Sequence, residues 1–251
     1  MANWMWNYRS FVSYDELNDW VLLPEHHHVV EDTKIPKIVH QTYHSKLKIP
    51  KKVDENFAEH AAAYTRYIYD DQDISQFLSH YFTPRVLERF KELKVGPHKA
   101  DLFRYCVLYI KGGIYMDIKT VLVQPLDTLF PDNTISTVIA NDGSTIFQGI
   151  IACPPRQPLF LALIAAILKG SVEPPYHLFT LEFMRYIRRD IQRRPLEGRN
   201  QGLKHAYMLY RERCTKNAAM CSDGLDRYGM CCNVTLGGER VIKTRYSDYP
   251  W

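Results

Sequence analysis

Two neighbouring segments carry the residues best suited to chemistry, namely Lys99 to Tyr105 and Gly112 to Thr120. Asp101 and Arg104 are three positions apart, so on a helix they share a face and can form a simple ion pair, which is the purely structural interpretation. Two glycines and a short strand then return the chain so that Asp117 stands near the same pocket. A carboxylate accepts hydrogen bonds from sugar hydroxyls or holds a divalent cation, and a guanidinium suits phosphate or sugar oxygens.

A helix from Pro97 to Lys111 must position the first two of these side chains. Apolar residues recur along it three or four positions apart, and Gly112-Gly113 suits a C-terminal cap. Elsewhere the pattern predicts strands near residues 38–40, 67–69, 114–116, 121–123, 135–140 and 146–152. It predicts helices near 14–21, 53–64, 159–168 and 178–191, two short helices before Pro97, and a β-hairpin over 230–244.

Strands that alternate with helices predict an α/β fold with a largely parallel, helix-covered sheet. Ligands bind such sheets beyond the carboxyl ends of the strands. We expect the segment His40 to Tyr43, the pair Asp70-Asp71, and Asp117 to lie there. A helical and loop preface over residues 1–34 and a single domain over 35–251 complete the predicted organisation.

Composition excludes several classes of protein. The 251 residues are 46% hydrophobic and 24% charged, which are globular values, and the net charge of +4 is too small for a dedicated nucleic-acid binder. We interpret the arginines of the 178–191 region as a solvated helix face. No signal peptide and no apolar stretch of transmembrane length is visible. These features predict a cytoplasmic protein without a transmembrane segment.

Four cysteines fall close together, Cys214, Cys221, Cys231 and Cys232. Their spacing lacks the close pairs of a zinc site. For a cytoplasmic protein, free buried thiols are the favoured interpretation, with one disulfide as the alternative.

Taken together, several motifs resemble glycosyltransferase family 32, the DXD sugar-binding group. Ile35 to Tyr43 is similar to the family's opening strand, which usually ends in His-Gln-Thr-Trp, and Tyr69-Asp70-Asp71 to its Trp-Asp-Asp. Lys99 to Asp117 resembles the block in which Asp, Arg-Tyr and Gly-Gly-x-Tyr-x-Asp recur, and Gln124 to Asp127 continues it. The resemblance covers residues 35 to 130 well and the remainder weakly.

The resemblance implies a retaining glycosyltransferase of GT-A type, with a Rossmann-like, mostly parallel sheet. By position, Tyr43 would stack on the nucleobase, Asp101 and Arg104 would hold the donor hexose, and Asp117 would contact ribose or sugar hydroxyls. The full set that the resemblance assigns to donor binding is His40, Gln41, Thr42, Tyr43, Asp70, Tyr115 and Trp251.

One departure concerns the second aspartate of the DXD motif, which is Lys119 here. An ammonium has no acceptor atoms and cannot ligate a metal. Three hypotheses follow. Lys119 replaces the family's Mn²⁺ or Mg²⁺ on the diphosphate, or the metal persists on Asp117 and another carboxylate such as Asp142, or the site is degenerate and inactive.

The expected function is transfer of a hexosyl group from a UDP- or GDP-sugar to a hydroxyl of a glycan or glycoconjugate. Asp101, Arg104, Asp117 and Lys119 are the predicted catalytic residues. The main alternative is a non-catalytic nucleotide-sugar or glycan-binding module. A glycosidase is a more distant alternative, because it needs two carboxylates at a matched separation.

Overall fold

A computed structural model describes residues 14–27, 33–171, 174–175, 177–221 and 224–249. Helices flank one large sheet, which confirms the predicted α/β class. The helices are α1 Tyr14–Val21, α2 Lys51–His60, α3 Asp71–Tyr81, α4 Pro84–Glu92, α5 Gly96–Lys111, α6 Pro158–Lys169 and α7 Leu178–Ile191. The strands are β1 Ile38–Thr42, β2 Thr65–Tyr69, β3 Gly113–Met116, β4 Val121–Leu122, β5 Ile135–Ile139, β6 Ile146–Cys153, β7 Gly198–Gln201, β8 Ala206–Thr215, β9 Cys231–Leu236 and β10 Glu239–Lys243.

The sheet has the order β2-β1-β3-β6-β5-β8-β9-β10-β4, with β7 paired to β8. Strand β1 is parallel to β2 and β3, and β5 is parallel to β8, while β6 runs antiparallel between β3 and β5. Strands β1, β2, β3, β5 and β8 therefore point in the same direction. The largely parallel arrangement holds for these five strands, and β10 also points their way, but the whole sheet is mixed because β4, β6, β7 and β9 run in the opposite direction.

Helix α5 lies at the centre of the core. Every residue from Asp101 to Ile110 is buried, since α5 packs against α6 and several other elements. Its C-terminal cap is Gly112, whose N–H donates to Leu108. At Gly113 a Cβ atom would lie 2.7 Å from the carbonyl oxygen of Ile38, so only glycine lets β3 approach β1 this closely. Because α5 is packed on several sides, the side chains of Asp101 and Arg104 are held at fixed positions.

The prediction of free thiols in the cysteine cluster is wrong. Cys214 pairs with Cys232 and Cys221 with Cys231, so two disulfides join the end of β8 and the following loop to the start of β9. The pairing depends on β8 lying beside β9, with Cys214 opposite Cys232, and that register is not visible in the spacing of the cysteines. The remaining two cysteines, Cys106 and Cys153, are free and buried.

The N-terminal region is continuous with the core where the structure describes it. Val21 of α1 and the adjacent Leu22 belong to the same buried cluster as α5 and α6, and the boundary between residues 34 and 35 stays a prediction. Across the described residues, the helices are too short or too polar to cross a bilayer.

Candidate active site

A cavity of about 980 Å³ opens where the carboxyl ends of the five like-directed strands meet. Four of these strands are followed by a cavity-lining residue: Tyr43 after β1, Asp71 after β2, Asp117 after β3, and Asn141 and Asp142 after β5. On β8, which pairs with β5 through Ile139 and Arg211, the lining residue is Glu212. The cavity thus lies at the carboxyl ends of the parallel strands, which is where ligands bind in sheets of this kind.

Asp101 and Arg104 of α5 meet at the base of the cavity. The Nη1 atom of Arg104 lies 2.9 Å from Oδ1 of Asp101, and both side chains are more than nine-tenths buried. The guanidinium also stacks over the ring of Tyr115, with 4.6 Å from Cζ to the ring centroid. Burial raises the pKa of Asp101, although the neighbouring guanidinium opposes that shift. The guanidinium of Arg104 and the carboxylate of Asp101 thus place one positive charge and one hydrogen-bond acceptor at fixed positions at the base of the cavity.

Asp117 extends this ion pair into a network of four charges. Its Oδ1 atom lies 3.6 Å from Nη2 of Arg104, and its Oδ2 atom lies 2.9 Å from Nζ of Lys119. Burial alone would raise the pKa of Asp117, but the charges of Lys119 and Arg104 outweigh it and lower that pKa. Asp117 likewise raises the pKa of Lys119. Two carboxylates thus face two cations, and the network carries no formal net charge.

Neighbouring strands hold Asp117 in place. Its backbone N–H donates to the carbonyl of Gly149 at 2.8 Å, and its carbonyl accepts from Nε2 of Gln41 at 3.5 Å. A Cβ atom on Gly149 would lie 2.9 Å from Oδ2 of Asp117 and 2.5 Å from Cζ of Phe147. The absence of a side chain at Gly149 therefore makes room for the carboxylate.

Gln148, Glu212 and Asn141 are polar cavity residues that the sequence analysis missed. The Oε1 atom of Gln148 accepts from Nη1 of Arg104 at 3.3 Å, and its buried Nε2 has no hydrogen-bond partner among the described residues. Glu212 accepts from the N–H of Asn141 at 3.1 Å, and burial raises its pKa. Asn141 accepts in turn from the N–H of Cys214. Only the pairing of β8 with β5 could have placed Glu212 here, and no strand was predicted at β8.

Of the residues that the family resemblance assigns to the donor, Thr42, Tyr43 and Tyr115 line the cavity. The hydroxyls of Thr42 and Tyr115 are 3.0 Å apart. Tyr249 of the C-terminal segment also lines the cavity, and its ring centroid lies 5.8 Å from Nζ of Lys119. Trp251 lies outside the described residues.

His40, Gln41 and Asp70 do not line the cavity, contrary to the sequence-based expectation. His40 is buried between the carbonyl of Gly112 and the hydroxyl of Tyr69, and burial lowers its pKa to about 4. Gln41 supports the backbone of Asp117 from behind the strand. Asp70 caps α3, where its carboxylate accepts from two backbone N–H groups. These residues stabilise the elements that carry the site, because their polar atoms are engaged there.

The side chains around Asp117 do not fit a divalent cation. Each carboxylate oxygen of Asp117 faces a cationic side chain, and the ammonium of Lys119 has no ligand atom to offer. Asp142, the alternative ligand, lines the cavity, but its carboxylate accepts from the N–H groups of Ser144 and Thr145. Among the described residues, ligand-type atoms cluster at Glu212, Cys214 and Cys232, where both sulfurs are held in one disulfide.

Comparison with known proteins gives a family match over residues 16–136, to the glycosyltransferase sugar-binding region containing the DXD motif. An uncharacterized glycosyltransferase of Acanthamoeba polyphaga mimivirus is 30% identical over 132 residues, which are 50% of this chain and 53% of the relative. A mannosyl phosphorylinositol ceramide synthase of Saccharomyces cerevisiae is 30% identical over 141 residues, 53% of this chain and 35% of the relative. The initiation-specific alpha-1,6-mannosyltransferase of Candida albicans is 27% identical over 134 residues, 50% of this chain and 34% of the relative.

The chain thus matches between about a third and about a half of the length of these relatives. Among solved structures, the PaToxG glycosyltransferase aligns with a TM-score of 0.44 and 18% identity, covering 71% of this chain and 74% of that chain.

Proposed function

We propose that this chain, whose residues 16–136 match the glycosyltransferase sugar-binding region containing the DXD motif, transfers a hexosyl group from a nucleoside diphosphate sugar. The observation that carries the proposal is the network of Asp101, Arg104, Asp117 and Lys119 at the base of the cavity. Paired carboxylates accept hydrogen bonds from sugar hydroxyls, and paired cations neutralise phosphate oxygens.

The donor is UDP- or GDP-linked, and its base stacks on Tyr43 at the mouth of the cavity. Asp101 and Arg104 hold the hexose, while Asp117 accepts from a hydroxyl of the ribose or the sugar. Gln148 supports this proposal, because its buried Nε2 has no partner among the described residues and leaves both of its N–H groups to donate to oxygens of the ligand.

The reaction exchanges one bond at the anomeric carbon. An acceptor hydroxyl on a glycan or glycoconjugate forms a bond to that carbon, and the bond from the carbon to the diphosphate oxygen breaks. The nucleoside diphosphate leaves with the electron pair of that bond and takes up the proton of the acceptor. Retention of configuration follows the family resemblance and remains part of the proposal.

Lys119 neutralises the leaving group in place of a metal ion. Negative charge builds on the diphosphate as the bond breaks, and a positioned cation stabilises that charge more in the transition state than in the ground state. Lys119 lies within hydrogen-bonding reach of Asp117, so a diphosphate entering the cavity competes with Asp117 for the ammonium.

A panel of UDP- and GDP-sugars tests donor binding by thermal shift, with and without manganese. A ligand that binds only the folded state raises the melting temperature by mass action. We expect one nucleotide sugar to stabilise the wild type without manganese and to stabilise Asp117→Ala much less. Absence of a shift with every donor would contradict the proposal. A shift without turnover in the presence of any glycan acceptor would instead favour the non-catalytic binding module.

The two disulfides bear on the cellular compartment in which we propose that the protein works. Disulfides persist in oxidising compartments and are rare in the cytosol. The two cystines therefore oppose the cytoplasmic location predicted from sequence, and an oxidising compartment is the proposal that the structure supports.

A further inference from the structure

One wall of the cavity differs in charge from the rest. The lysines and arginines that line the cavity lie on α5 or on the segments before α5 and after β3, namely Lys94, Lys99, Arg104 and Lys119. Among the described lining residues beyond position 120, two are carboxylates and none is a lysine or an arginine. We call Asn141, Asp142 and Glu212 the β5–β8 wall, because they follow β5 or lie on β8.

Hydrogen bonds between β8 and the segment after β5 hold this wall together. The N–H of Asn141 donates to Oε2 of Glu212 at 3.1 Å, and Oδ1 of Asn141 accepts from the N–H of Cys214 at 3.0 Å. Arg211, also on β8, donates from Nη2 to the carbonyl of Asn141 at 3.3 Å. The carboxylate of Glu212 therefore has a defined position in the cavity.

Five carboxylates line the cavity, and Glu212 is engaged less than the other four. Asp71, Asp101 and Asp117 each pair with a lysine or an arginine. Asp142 accepts from two backbone N–H groups of its own turn. Glu212 accepts from a single N–H, and its Oε1 atom has no hydrogen-bond or ion-pair partner among the described residues. Polar atoms in a partly buried site gain from a ligand that completes their hydrogen bonds, so Glu212 favours a ligand that donates.

Gln148 offers the complementary group. It lies on β6, between β3 and β5 in the sheet, and is 3% exposed, and its Nε2 has no partner among the described residues. The cavity thus holds an unengaged donor and an unengaged acceptor besides its ion pairs. A hydroxyl both donates and accepts, whereas an ionised carboxylate or phosphate only accepts. An uncharged, hydroxylated ring can therefore use both groups, and an anionic group cannot use Glu212.

We propose that the β5–β8 wall binds the acceptor and selects an uncharged, hydroxylated ring over one that carries a carboxylate or a phosphate. Glu212 determines this specificity, because its Oε1 atom accepts a hydrogen bond from a hydroxyl of the ring. Like charges placed together exclude wrong partners, so Glu212 and Asp142 repel an anionic acceptor. The inference rests on the proposed function, in which the cations near α5 face the diphosphate of the donor and leave this wall to the acceptor.

Titrations followed by saturation-transfer NMR measure acceptor binding without any use of activity. The probes are the methyl glycosides of glucose, galactose and mannose, each compared with the methyl glycoside of its uronic acid, in the presence of UDP or GDP. Glu212→Gln keeps the shape of the side chain and removes its charge, whereas Glu212→Asp keeps the charge on a shorter side chain. The matched control is Glu197→Gln, because Glu197 pairs with Arg213 of β8 at 3.4 Å and does not line the cavity.

We expect wild type and control to bind at least one neutral glycoside about tenfold more tightly than its uronic acid, because the wall repels the acid. Glu212→Gln should bind that neutral glycoside about tenfold more weakly, the worth of a hydrogen bond to a charged group, and should lose most of the discrimination. Glu212→Asp should weaken binding but keep the discrimination. Equal melting temperatures of the variants and wild type check that the fold is retained.

Three results would overturn the inference. They are undiminished binding of the neutral glycoside by Glu212→Gln, equal binding of neutral and acidic glycosides by wild type, and no binding of any neutral glycoside by wild type. Weaker binding of the UDP- or GDP-sugar by Glu212→Gln would also overturn it, because Glu212 would then belong to the donor site.

Turnover separates this inference from the proposed function. In an active transferase, Glu212→Gln should raise the KM of the neutral acceptor about tenfold, in line with its weaker binding. An unchanged acceptor KM would overturn the role of the β5–β8 wall and leave the proposed function intact. Glycoside binding that depends on Glu212, without any turnover by wild type, would contradict the proposed function and leave the wall as a binding site for uncharged rings.

Discussion

Replacing Lys119 with methionine removes the ammonium that faces Asp117 while keeping the length of the side chain. The network then changes from neutral to a net charge of −1, and Asp117 faces only Arg104 at 3.6 Å. A unit charge about 5 Å from a phosphate charge is worth roughly 3 kcal/mol at an effective dielectric of about 20. Loss of that contribution in the transition state lowers kcat/KM by about 200-fold.

The assay is the initial rate of nucleoside diphosphate release, measured with and without a chelator. The control is Lys37→Met, because Lys37 forms a comparable 2.8 Å pair with Asp127 but is 59% exposed and outside the cavity. Exposed pairs contribute about 0–1 kcal/mol, so this control should keep its activity. Lys119→Asp restores the two-carboxylate motif and should regain part of the rate only when manganese is supplied. Chelator-sensitive wild type together with a silent Lys119→Met would refute the proposed role of Lys119.

Lys119→Met should also change the pH dependence of kcat/KM. In the wild type the charges of Lys119 and Arg104 lower the pKa of Asp117, so the carboxylate stays ionised as the pH falls. Its contribution to stability is present above the unfolded-state pKa and is lost as the pH falls through the lower folded-state pKa. Without Lys119 the folded-state pKa rises. The acid limb of kcat/KM should therefore move to higher pH in Lys119→Met, and an unchanged limb would assign that limb to another group.

Three further perturbations test other parts of the site and the fold. Tyr43→Ala should weaken binding of the free nucleotide by about 1–3 kcal/mol, the worth of a stacked base, and unchanged affinity by calorimetry would place the base elsewhere. Gly149→Ala should lower turnover at least tenfold with the fold retained by circular dichroism, because its Cβ would crowd Asp117, and full activity would show that the carboxylate can shift freely. Cys214→Ser/Cys232→Ser should lower the free energy of unfolding by about 2–4 kcal/mol in denaturant titrations under oxidising conditions, and an unchanged midpoint would argue against that disulfide.

Local signals were enough to predict the half of the site that lies on α5 and just after it. Helical periodicity, the capping glycines and the short strand β3 together locate Asp101, Arg104 and Asp117, since the chain segments that carry them are adjacent in sequence. Their side chains meet because the Gly112-Gly113 turn reverses the chain over a few residues. No long-range pairing had to be known for that prediction.

The other half of the site depends on contacts between distant segments. Strand β8 was not predicted, because its sequence has polar residues near the end and its position is decided by pairing with β5, β7 and β9. Glu212 and the cystine of Cys214 therefore had no local signal. Asp70 was assigned to the ligand for a related reason. An aspartate after a strand serves equally well as a helix cap, and the backbone N–H groups of α3 are its partners.

The common direction of β1, β2, β3, β5 and β8 has a consequence for how such a protein can diversify. Cavity residues such as Tyr43, Asp71 and Asn141 follow the strands, so the chain segments beyond the strand ends can be exchanged without altering the pairs within the sheet. The charges that we propose to face the donor are different, because Asp101 and Arg104 belong to the buried stretch of α5 from Asp101 to Ile110. Under the proposed function, new segments grafted after β5 should alter acceptor preference, while the charge network should stay unchanged because it belongs to the core.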